Sequence, residues 1–217
     1  MRNSKKRIVP AVLTDNPKKL KEMLHQAEGF ASWVQIDIMD GLFVPSRSIT
    51  AKDIVDAATF LNWEAHLMVK DPEKYLDDFQ SAGCSRIIVH YEAVKNRASD
   101  VIRQIQVSGM EAGLALNPET DIRLLDESLV SKLDAVLFMA VNPGYYGAPF
   151  IPAVLQKISA FRKKHVNLSI GIDGGVKLAN IQEITQCGVD DICVGSAIFA
   201  QKDMSQAYHE LWRVANG

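Results

Sequence analysis

The sequence contains few cysteines: Cys84, Cys187 and Cys193 are the only three among 217 residues. No two of them form the Cys-x-x-Cys pair that is typical of small zinc sites and of redox motifs. Their odd number, in a chain whose start does not resemble a secretion signal, argues against a disulfide framework. We therefore expect reduced, structural thiols.

The sequence also lacks long apolar runs and a strong charge of either sign. No stretch approaches the roughly 20 apolar residues of a membrane-spanning helix, and the basic start MRNSKKR is not followed by the apolar core of a signal peptide. Lys and Arg number 24 against 26 Asp and Glu, a net charge of −2, which gives no electrostatic reason to bind nucleic acid or an anionic membrane. We expect a cytoplasmic protein whose partner is a small molecule.

What the sequence does contain is a regular alternation of strand-like and helix-like segments. The strand-like segments are short apolar runs at residues 8–13, 33–40, 63–69, 86–91, 111–117, 134–141, 167–173 and 190–195. Apolar strands separated by helices are typical of a parallel sheet that is covered on both faces. Eight strand–helix pairs, without a linker or a break in composition, predict a single α/β domain over residues 1–217, folded as a (β/α)8 TIM barrel.

Polar residues late in the strands are the first candidates for a site, because active sites of such barrels lie at the carboxyl ends of the strands. These residues are Gln35, Asp37, His66, His90, Asn117 and Asp173. Two carboxylates, an imidazole and an amide at one barrel mouth could hold a divalent cation. The two aspartates could equally carry protons, and the two roles are compatible. For His90 and Asn117, a role in lining the site and structural hydrogen bonding both stay open.

A second group of candidates is rich in glycine and follows the last three strands. It consists of Gly144, Gly147, Gly174, Gly175, Gly195 and Ser196. Glycine allows backbone N–H groups to turn toward an anion, and phosphate sites in these barrels are often built from the loops after strands seven and eight. The alternative is that these glycines only close tight loops. We expect a substrate phosphate here.

Three methionines, Met39, Met68 and Met139, fall near the same end of the predicted barrel. Methionine usually fills gaps in a hydrophobic core. At the barrel mouth these side chains could also form an apolar wall that keeps water from a reaction centre, which would strengthen electrostatic interactions there.

Seven ordered segments resemble those of a known family: IDIMDGLFVP, AHLMV, VHYEA, ALNPET, VNPGYYG, IDGGV and VGSAIF. In this order and at these spacings they resemble the ribulose-phosphate 3-epimerase family, over about residues 8–200. The resemblance implies a (β/α)8 barrel that inverts the hydroxyl-bearing carbon beside the carbonyl of a ketose phosphate. It also implies a divalent metal, typically zinc.

The resemblance further implies roles for individual residues. Asp37 and Asp173 would be metal ligands that also serve as the acid and the base, and His66 would be another metal ligand. The residues of the glycine-rich group other than Gly144 would hold the phosphate, and the three methionines would lie beside the enediolate intermediate. Two carboxylates from opposite walls of a barrel suit an inversion, because the reaction needs a base on one face of the carbon and an acid on the other.

The sequence departs from the family pattern at the site itself. Gln35 stands where the family usually has a metal-binding histidine, Ala11 stands in place of a serine, and Tyr146 and Ala148 change the phosphate loop. An amide oxygen is a weaker ligand than an imidazole, so affinity for zinc should fall and preference should move toward harder ions or to no ion. Zn, Mn, Mg, Fe and Co therefore remain candidate ions, with Gln35 as a doubtful fourth ligand.

The sequence thus predicts a sugar-phosphate 3-epimerase that acts on ribulose 5-phosphate or a related ketose phosphate. The predicted mechanism is proton transfer by two aspartates through an enediolate, and we expect a homo-oligomer. One alternative is a different isomerase, lyase or decarboxylase of sugar phosphates on the same barrel, because a fold alone does not fix a reaction. Another is a paralogue that binds a phosphate ligand without turnover.

Overall fold

The computed structural model describes residues 5–144 and 147–217, so the predicted effect of Tyr146 on the phosphate loop lies outside the described residues. Eight parallel strands close into a barrel in sequence order, and the first strand pairs with the last. The strands are β1 (Arg7–Val12), β2 (Trp33–Met39), β3 (Asn62–Met68), β4 (Arg86–His90), β5 (Glu111–Leu116), β6 (Ala135–Met139), β7 (Ser169–Asp173) and β8 (Asp191–Val194). The predicted TIM barrel and single domain are confirmed.

Helices connect the strands and cover the outside of the barrel. They are α1 (Pro17–Ala27), α2 (Ala51–Ala57), α3 (Leu76–Ser81), α4 (Tyr91–Val94), α5 (Ala98–Val107), α6 (Glu127–Val130), α7 (Ala153–Lys164), α8 (Ile181–Gln186), α9 (Ser196–Phe199) and α10 (Met204–Asn216). Short 3₁₀ helices lie at Pro72–Tyr75, Lys95–Arg97 and Ile122–Leu124. Within the described ranges, no helix has the length and apolar character needed to cross a membrane.

The helices form because their sequences combine a capping residue with one apolar face. In α1 the side chain of Asn16 accepts hydrogen bonds from the backbone N–H groups of the first turn, and Pro17 occupies a position where no N–H is needed. Leu20, Met23 and Leu24 then fall on one face and are buried. The helix consequently packs against the sheet with its apolar face.

The two largest parts of the core follow from the alternation of side chains along each strand. The larger part lies between the sheet and the helices and includes Phe79, Phe138 and Phe161. The smaller part fills the inside of the barrel, where Ile88, Leu137 and other residues pack together. A filled interior leaves room for a ligand only at the ends of the barrel.

The amino-terminal end of the barrel is closed by a cluster of charged side chains around the buried Arg86, Glu64 and Asp191. Arg86 donates to Glu64 at 3.0 Å, to Asp191 at 3.3 Å and to Glu111 at 2.8 Å. Arg7 makes a second ion pair with Asp191, at 2.7 Å. Because these charges are paired with one another, they act as structural elements of the closed end.

The helix after β7 is shorter than the helix-like segment at residues 176–188 that follows this strand in the sequence. The helix α8 spans only Ile181–Gln186. Asn180 accepts a hydrogen bond from the backbone N–H of Lys177 and donates one to the carbonyl of Gly175. These side-chain contacts stabilise a turn in place of the first helical turns, since Asn competes well for backbone groups outside helices. The residues after β7 therefore stay at the barrel mouth.

Candidate active site

The carboxyl end of the barrel opens into a cavity of about 410 Å³. Asp37 near the end of β2 and Asp173 at the end of β7 both line this cavity. They are only 7% and 8% exposed, so each carboxylate meets the cavity with little contact to bulk water. Strands β7 and β2 are separated in the barrel by β8 and β1. The two acids thus approach one space from different walls.

Gln35 lies below the two aspartates and is fully buried. Its Nε2 donates to Asp37 Oδ1 and to Asp173 Oδ2, each at 2.9 Å. Its Oε1 accepts a hydrogen bond from the Sγ of Cys193 at 3.1 Å. Gln35 therefore links the two acids directly, by hydrogen bonds from one NH₂ group.

A chain of side chains extends from the aspartates into the barrel. The Nδ1 of His66 lies 2.9 Å from Asp37 Oδ1 and 3.5 Å from Asp173 Oδ2. The Nε2 of His66 lies 2.9 Å from the Nε2 of His90, whose Nδ1 lies 3.3 Å from Glu92 Oε2. The register of β2 and β3 produces the first contact, because it places Asp37 beside His66.

Burial and these contacts change the acidity of the groups in the chain. Burial and the charge of Asp173 raise the pKa of Asp37. Burial by itself would lower the pKa of His66, but hydrogen bonds to Asp173 and Asp37 outweigh it and raise this pKa to about 9. Burial lowers the pKa of His90. The site thus favours a charged His66 beside the carboxylates and a neutral His90 behind it.

The expected metal can be compared with the donors that are present. Asp37, His66 and Asp173 offer ligand atoms that all lie within 4.8 Å of one another, so these three residues can surround an ion. Gln35 turns its NH₂ group toward the same two carboxylates, and such a group donates hydrogen bonds but does not ligate cations. The four-ligand site implied by the resemblance does not fit this arrangement, and the identity of any bound ion stays a prediction.

The glycine-rich residues predicted to hold phosphate meet along one side of the cavity. Gly144, Gly147, Gly174, Gly175, Gly195 and Ser196 all line it. Gly174 has φ of +104°, and a Cβ at this position would lie 2.5 Å from Val141 Cγ2. Glycine is needed there both for the backbone conformation and for the close approach to Val141. The described residues of the loops after β6, β7 and β8 therefore place small residues along this side of the cavity, and we call these six residues the glycine wall.

The apolar side of the cavity contains the residues that the sequence indicated. Met39, Met68 and Met139 line the cavity and are nearly completely buried. Ala11 and Ala148, two of the departures from the family pattern, line it as well. The methionines and Ala11 place apolar groups beside the aspartates, which limits the access of water to them.

Two polar residues with open roles lie away from the cavity. His90 contacts His66 and does not line the described cavity. Asn117 donates from its backbone N–H to Glu92 at 2.9 Å, and its side-chain Oδ1 is buried without a hydrogen-bond partner in the described structure. These contacts connect both residues to the hydrogen-bond chain behind the aspartates.

Sequence reasoning gave no role to three residues near the cavity. Lys177 and Asn180 line the cavity next to the glycine wall. Ser46 donates from its Oγ to the carbonyl of Gly144 at 2.7 Å and so ties the loop after β2 to the loop after β6. The sequence signal for Lys177 was its position four residues after Asp173, within a glycine-rich loop. A single lysine in a loop is more often a solvated surface residue, so this signal is weak.

Known proteins of similar sequence point to one family. The sequence model of the ribulose-phosphate 3 epimerase family matches residues 7–199. The chain belongs to this family. The chloroplastic ribulose-5-phosphate-3-epimerase of Arabidopsis thaliana is 37% identical over 92% of this chain and 74% of its own length. The ribulose-phosphate 3-epimerase of Escherichia coli K12 is 35% identical over 94% of this chain and 93% of its own length. The predicted family and its enzyme class, an isomerase, are confirmed.

Solved structures with lower sequence identity share the fold. The 3-hexulose-6-phosphate synthase from Salmonella typhimurium aligns with a TM-score of 0.73 at 14% identity, over 96% of this chain and 98% of that one. KGPDC from Streptococcus mutans aligns with a TM-score of 0.70 at 11% identity, over 98% of both chains. At these identities the likeness supports the barrel architecture alone.

Proposed function

We propose that the protein inverts C3 of a ketose phosphate, with ribulose 5-phosphate or a close relative as substrate. The observation that carries this proposal is the meeting of Asp37 and Asp173 in one cavity whose wall also contains the glycine-rich loops. The relatives from Arabidopsis thaliana and Escherichia coli are named for this reaction on ribulose phosphate. The reaction class comes from the family and the substrate from these names.

The two aspartates exchange protons with the two faces of C3. One carboxylate removes the proton beside the carbonyl, which produces an enediolate, and the other carboxyl group delivers a proton to the opposite face. In the reverse reaction the two roles are exchanged. The placement of the two aspartates on β2 and β7 supports this assignment. Two carboxyl groups on the same wall of the barrel would both reach the same face of C3.

The phosphate binds at the glycine wall, and the reacting carbons lie against the methionines. Backbone N–H groups of the loops containing Gly174, Gly175 and Gly195 can turn toward an anion because no side chains stand in the way. Lys177 adds a positive charge at the same side of the cavity. Fixing the phosphate there orients the sugar so that C3 lies between the acids.

The proposal is tested by solvent exchange at C3. The protein is incubated with ribulose 5-phosphate in deuterated water, with and without added Zn²⁺, Mn²⁺, Mg²⁺, Fe²⁺ or Co²⁺, and C3 is followed by NMR. We expect deuterium at C3 together with the C3 epimer. In Asp37→Asn and Asp173→Asn, epimer formation should fall by about 10²–10⁴-fold.

The two variants should also differ from each other. Each retains one carboxylate, which can still remove a proton and return a deuteron on its own face of C3. Asp37→Asn should therefore exchange the C3 hydrogen of one epimer, and Asp173→Asn that of the other epimer. The exposed control Asp77→Asn should behave as the unchanged protein. If no ketopentose or ketohexose phosphate gained deuterium at C3 under any metal condition, the proposal would be wrong.

A further inference from the structure

The amide of Gln35 lies among the atoms that would ligate a metal ion. Its Nε2 is 2.9 Å from Asp37 Oδ1, 2.9 Å from Asp173 Oδ2 and 3.5 Å from His66 Nδ1. These three neighbours are the residues that can surround an ion. We propose that the Gln35 amide takes the place of a divalent ion and holds the two aspartates for catalysis by hydrogen bonds. The proposal rests on the proposed function only for the task of the aspartates.

The polarity of the amide matches its surroundings at every contact. The NH₂ group has two hydrogens, and one carboxylate oxygen accepts each of them. The carbonyl oxygen faces the thiol of Cys193, which is a weak donor. In the reversed orientation, the carbonyl oxygen would face two carboxylates and the NH₂ group would face sulfur, a weak acceptor. The surroundings therefore fix the nitrogen toward the aspartates.

An ion and the amide nitrogen compete for the same position. A zinc ion lies about 2.0–2.2 Å from each nitrogen or oxygen ligand, so an ion held by Asp37, His66 and Asp173 would occupy the space between them. The Gln35 nitrogen already lies between these ligands. Binding an ion requires the glutamine side chain to leave this position.

Leaving this position is costly because Gln35 has no exposed surface. Its strand neighbours in β1 and β3 are Ala11 and Glu64, and its oxygen accepts from buried Cys193. Moving the amide would break two hydrogen bonds to carboxylates and one from the thiol. A buried polar group that loses its partner destabilises the folded state, because no water replaces the lost hydrogen bond. The amide bridge is thus stabilised by the surrounding core as well as by the aspartates.

The bridge does one thing that a bound metal ion would otherwise do. It fixes the spacing of the two aspartates. Two carboxylates that face each other without a partner repel and turn apart. One hydrogen bond to each of them from a single planar NH₂ group sets both their separation and their orientation. An imidazole at position 35 could offer a nitrogen lone pair instead, and would complete a four-ligand site.

The test measures metal binding by the full-length protein. Protein treated with a chelator and dialysed is titrated with Zn²⁺ and with Mn²⁺ by calorimetry, and its metal content as purified is measured by elemental analysis. The variant Gln35→His supplies the missing ligand. Gln104→His, on the exposed face of α5, adds a histidine away from the site and is the matched control.

We expect the unchanged protein and Gln104→His to contain far less than one zinc per chain. Gln35→His should bind one zinc per chain, at least ~100-fold more tightly, since even partners outside the ligand shell change metal affinity by about 10–100-fold. Gln35→Glu, which is close in size and supplies an oxygen ligand, should gain affinity for Mn²⁺ and serves as the second variant if the histidine disturbs folding. C3 exchange by the unchanged protein should be the same with and without chelator.

Two results would overturn the proposal. One is a stoichiometric zinc in the unchanged protein with an affinity equal to that of Gln35→His. The other is a C3 exchange that chelation abolishes and a metal restores. Zinc binding is measured without any turnover. An absence of C3 exchange under all conditions would therefore reject the proposed function, while the titrations would still test the amide bridge.

Discussion

His66 and His90 are joined by a hydrogen bond between their Nε2 atoms, which lie 2.9 Å apart. One of the two rings must donate, because a nitrogen without a hydrogen can only accept. Burial lowers the pKa of His90, while hydrogen bonds to Asp173 and Asp37 outweigh burial and raise the pKa of His66 to about 9. His66 is therefore the donor, and His90 accepts at Nε2 and donates from Nδ1 to Glu92.

This relationship predicts the effect of changing His90. In His90→Phe an aromatic ring still fills the space, but it has no nitrogen to accept a hydrogen bond. The buried N–H of His66 loses its partner, which should lower the free energy of unfolding by about 1–3 kcal/mol. We expect kcat to fall by about 10–100-fold, because His66 would no longer hold Asp37 in place. Urea unfolding and steady-state kinetics measure the two effects.

The variant His90→Gln is the matched control, since its amide can still accept from His66. It should recover most of the stability and shift the pH profile of kcat less than His90→Phe does. Equal losses in the two variants would show that ring packing, and not the hydrogen bond, explains the role of His90.

The glycine wall predicts a second difference, between two glycines that share a left-handed backbone. Gly174 and Gly109 have φ of +104° and +80°, but a Cβ would meet Val141 at 2.5 Å only at Gly174, whereas nothing lies within 4 Å at Gly109. Both alanine variants should lose about 1–2 kcal/mol from the backbone conformation. Gly174→Ala should lose a further ~1–3 kcal/mol from overpacking.

Only Gly174→Ala should also weaken substrate binding, because it alters the wall that we propose for the phosphate. We expect KM for the ketose phosphate to rise about tenfold, which is a loss of about 1.4 kcal/mol. A KM that stays unchanged in Gly174→Ala, or rises as much in Gly109→Ala, would contradict the placement of the phosphate.

The position of Lys177 predicts a charge effect on binding without an effect on chemistry. The side chain is exposed and lines the cavity together with Gly174 and Gly175, in the part of the cavity that we propose for the phosphate. Lys177→Ala should raise KM about tenfold and leave kcat unchanged, since it removes binding that the ground state and the transition state share equally. Lys163→Ala, an exposed lysine of α7, is the control and should match the unchanged protein. A fall in kcat would place Lys177 in the chemical step.

Much of the fold and part of the site can be predicted from the sequence. The strand pattern is visible because buried parallel strands are nearly continuous apolar runs, and residues 63–69 correspond to β3 at Asn62–Met68 within one residue. The aspartates can be found because Asp37 and Asp173 interrupt such runs at the carboxyl ends of strands. A carboxylate is costly to bury, so its presence in a strand signals a partner or a task.

The orientation of Gln35 cannot be predicted in the same way. Its amide is fixed by Asp173 and Cys193, which lie 138 and 158 residues away in the sequence. No local pattern contains those contacts, because they exist only after the barrel has closed. The same reason explains why the role of His90 stayed open: its partner His66 lies on the neighbouring strand β3, 24 residues earlier.

The closed end of the barrel predicts an unusual dependence of stability on pH. Glu64 is 1% exposed. Burial raises its pKa from 4.5 to about 7, although the charge of Arg86 opposes this rise. Glu64, Asp191 and Glu111 share the guanidinium of Arg86. The deep burial of Glu64 favours its protonated form in the folded protein.

Between pH 4.5 and 7 the folded protein therefore holds a proton on Glu64 that the unfolded chain releases. Stability from this group is complete below pH 4.5 and is lost as the pH rises through 7, in a total amount of about 3 kcal/mol at about 1.4 kcal/mol per pKa unit. Glu64→Gln stays neutral at every pH, so its free energy of unfolding should decline less between pH 5 and pH 8. Urea unfolding across this range measures the difference, with the exposed Glu127→Gln as control. Parallel curves for Glu64→Gln and the unchanged protein would mean that Glu64 is already ionised when folded, and that Arg86 compensates fully for its burial.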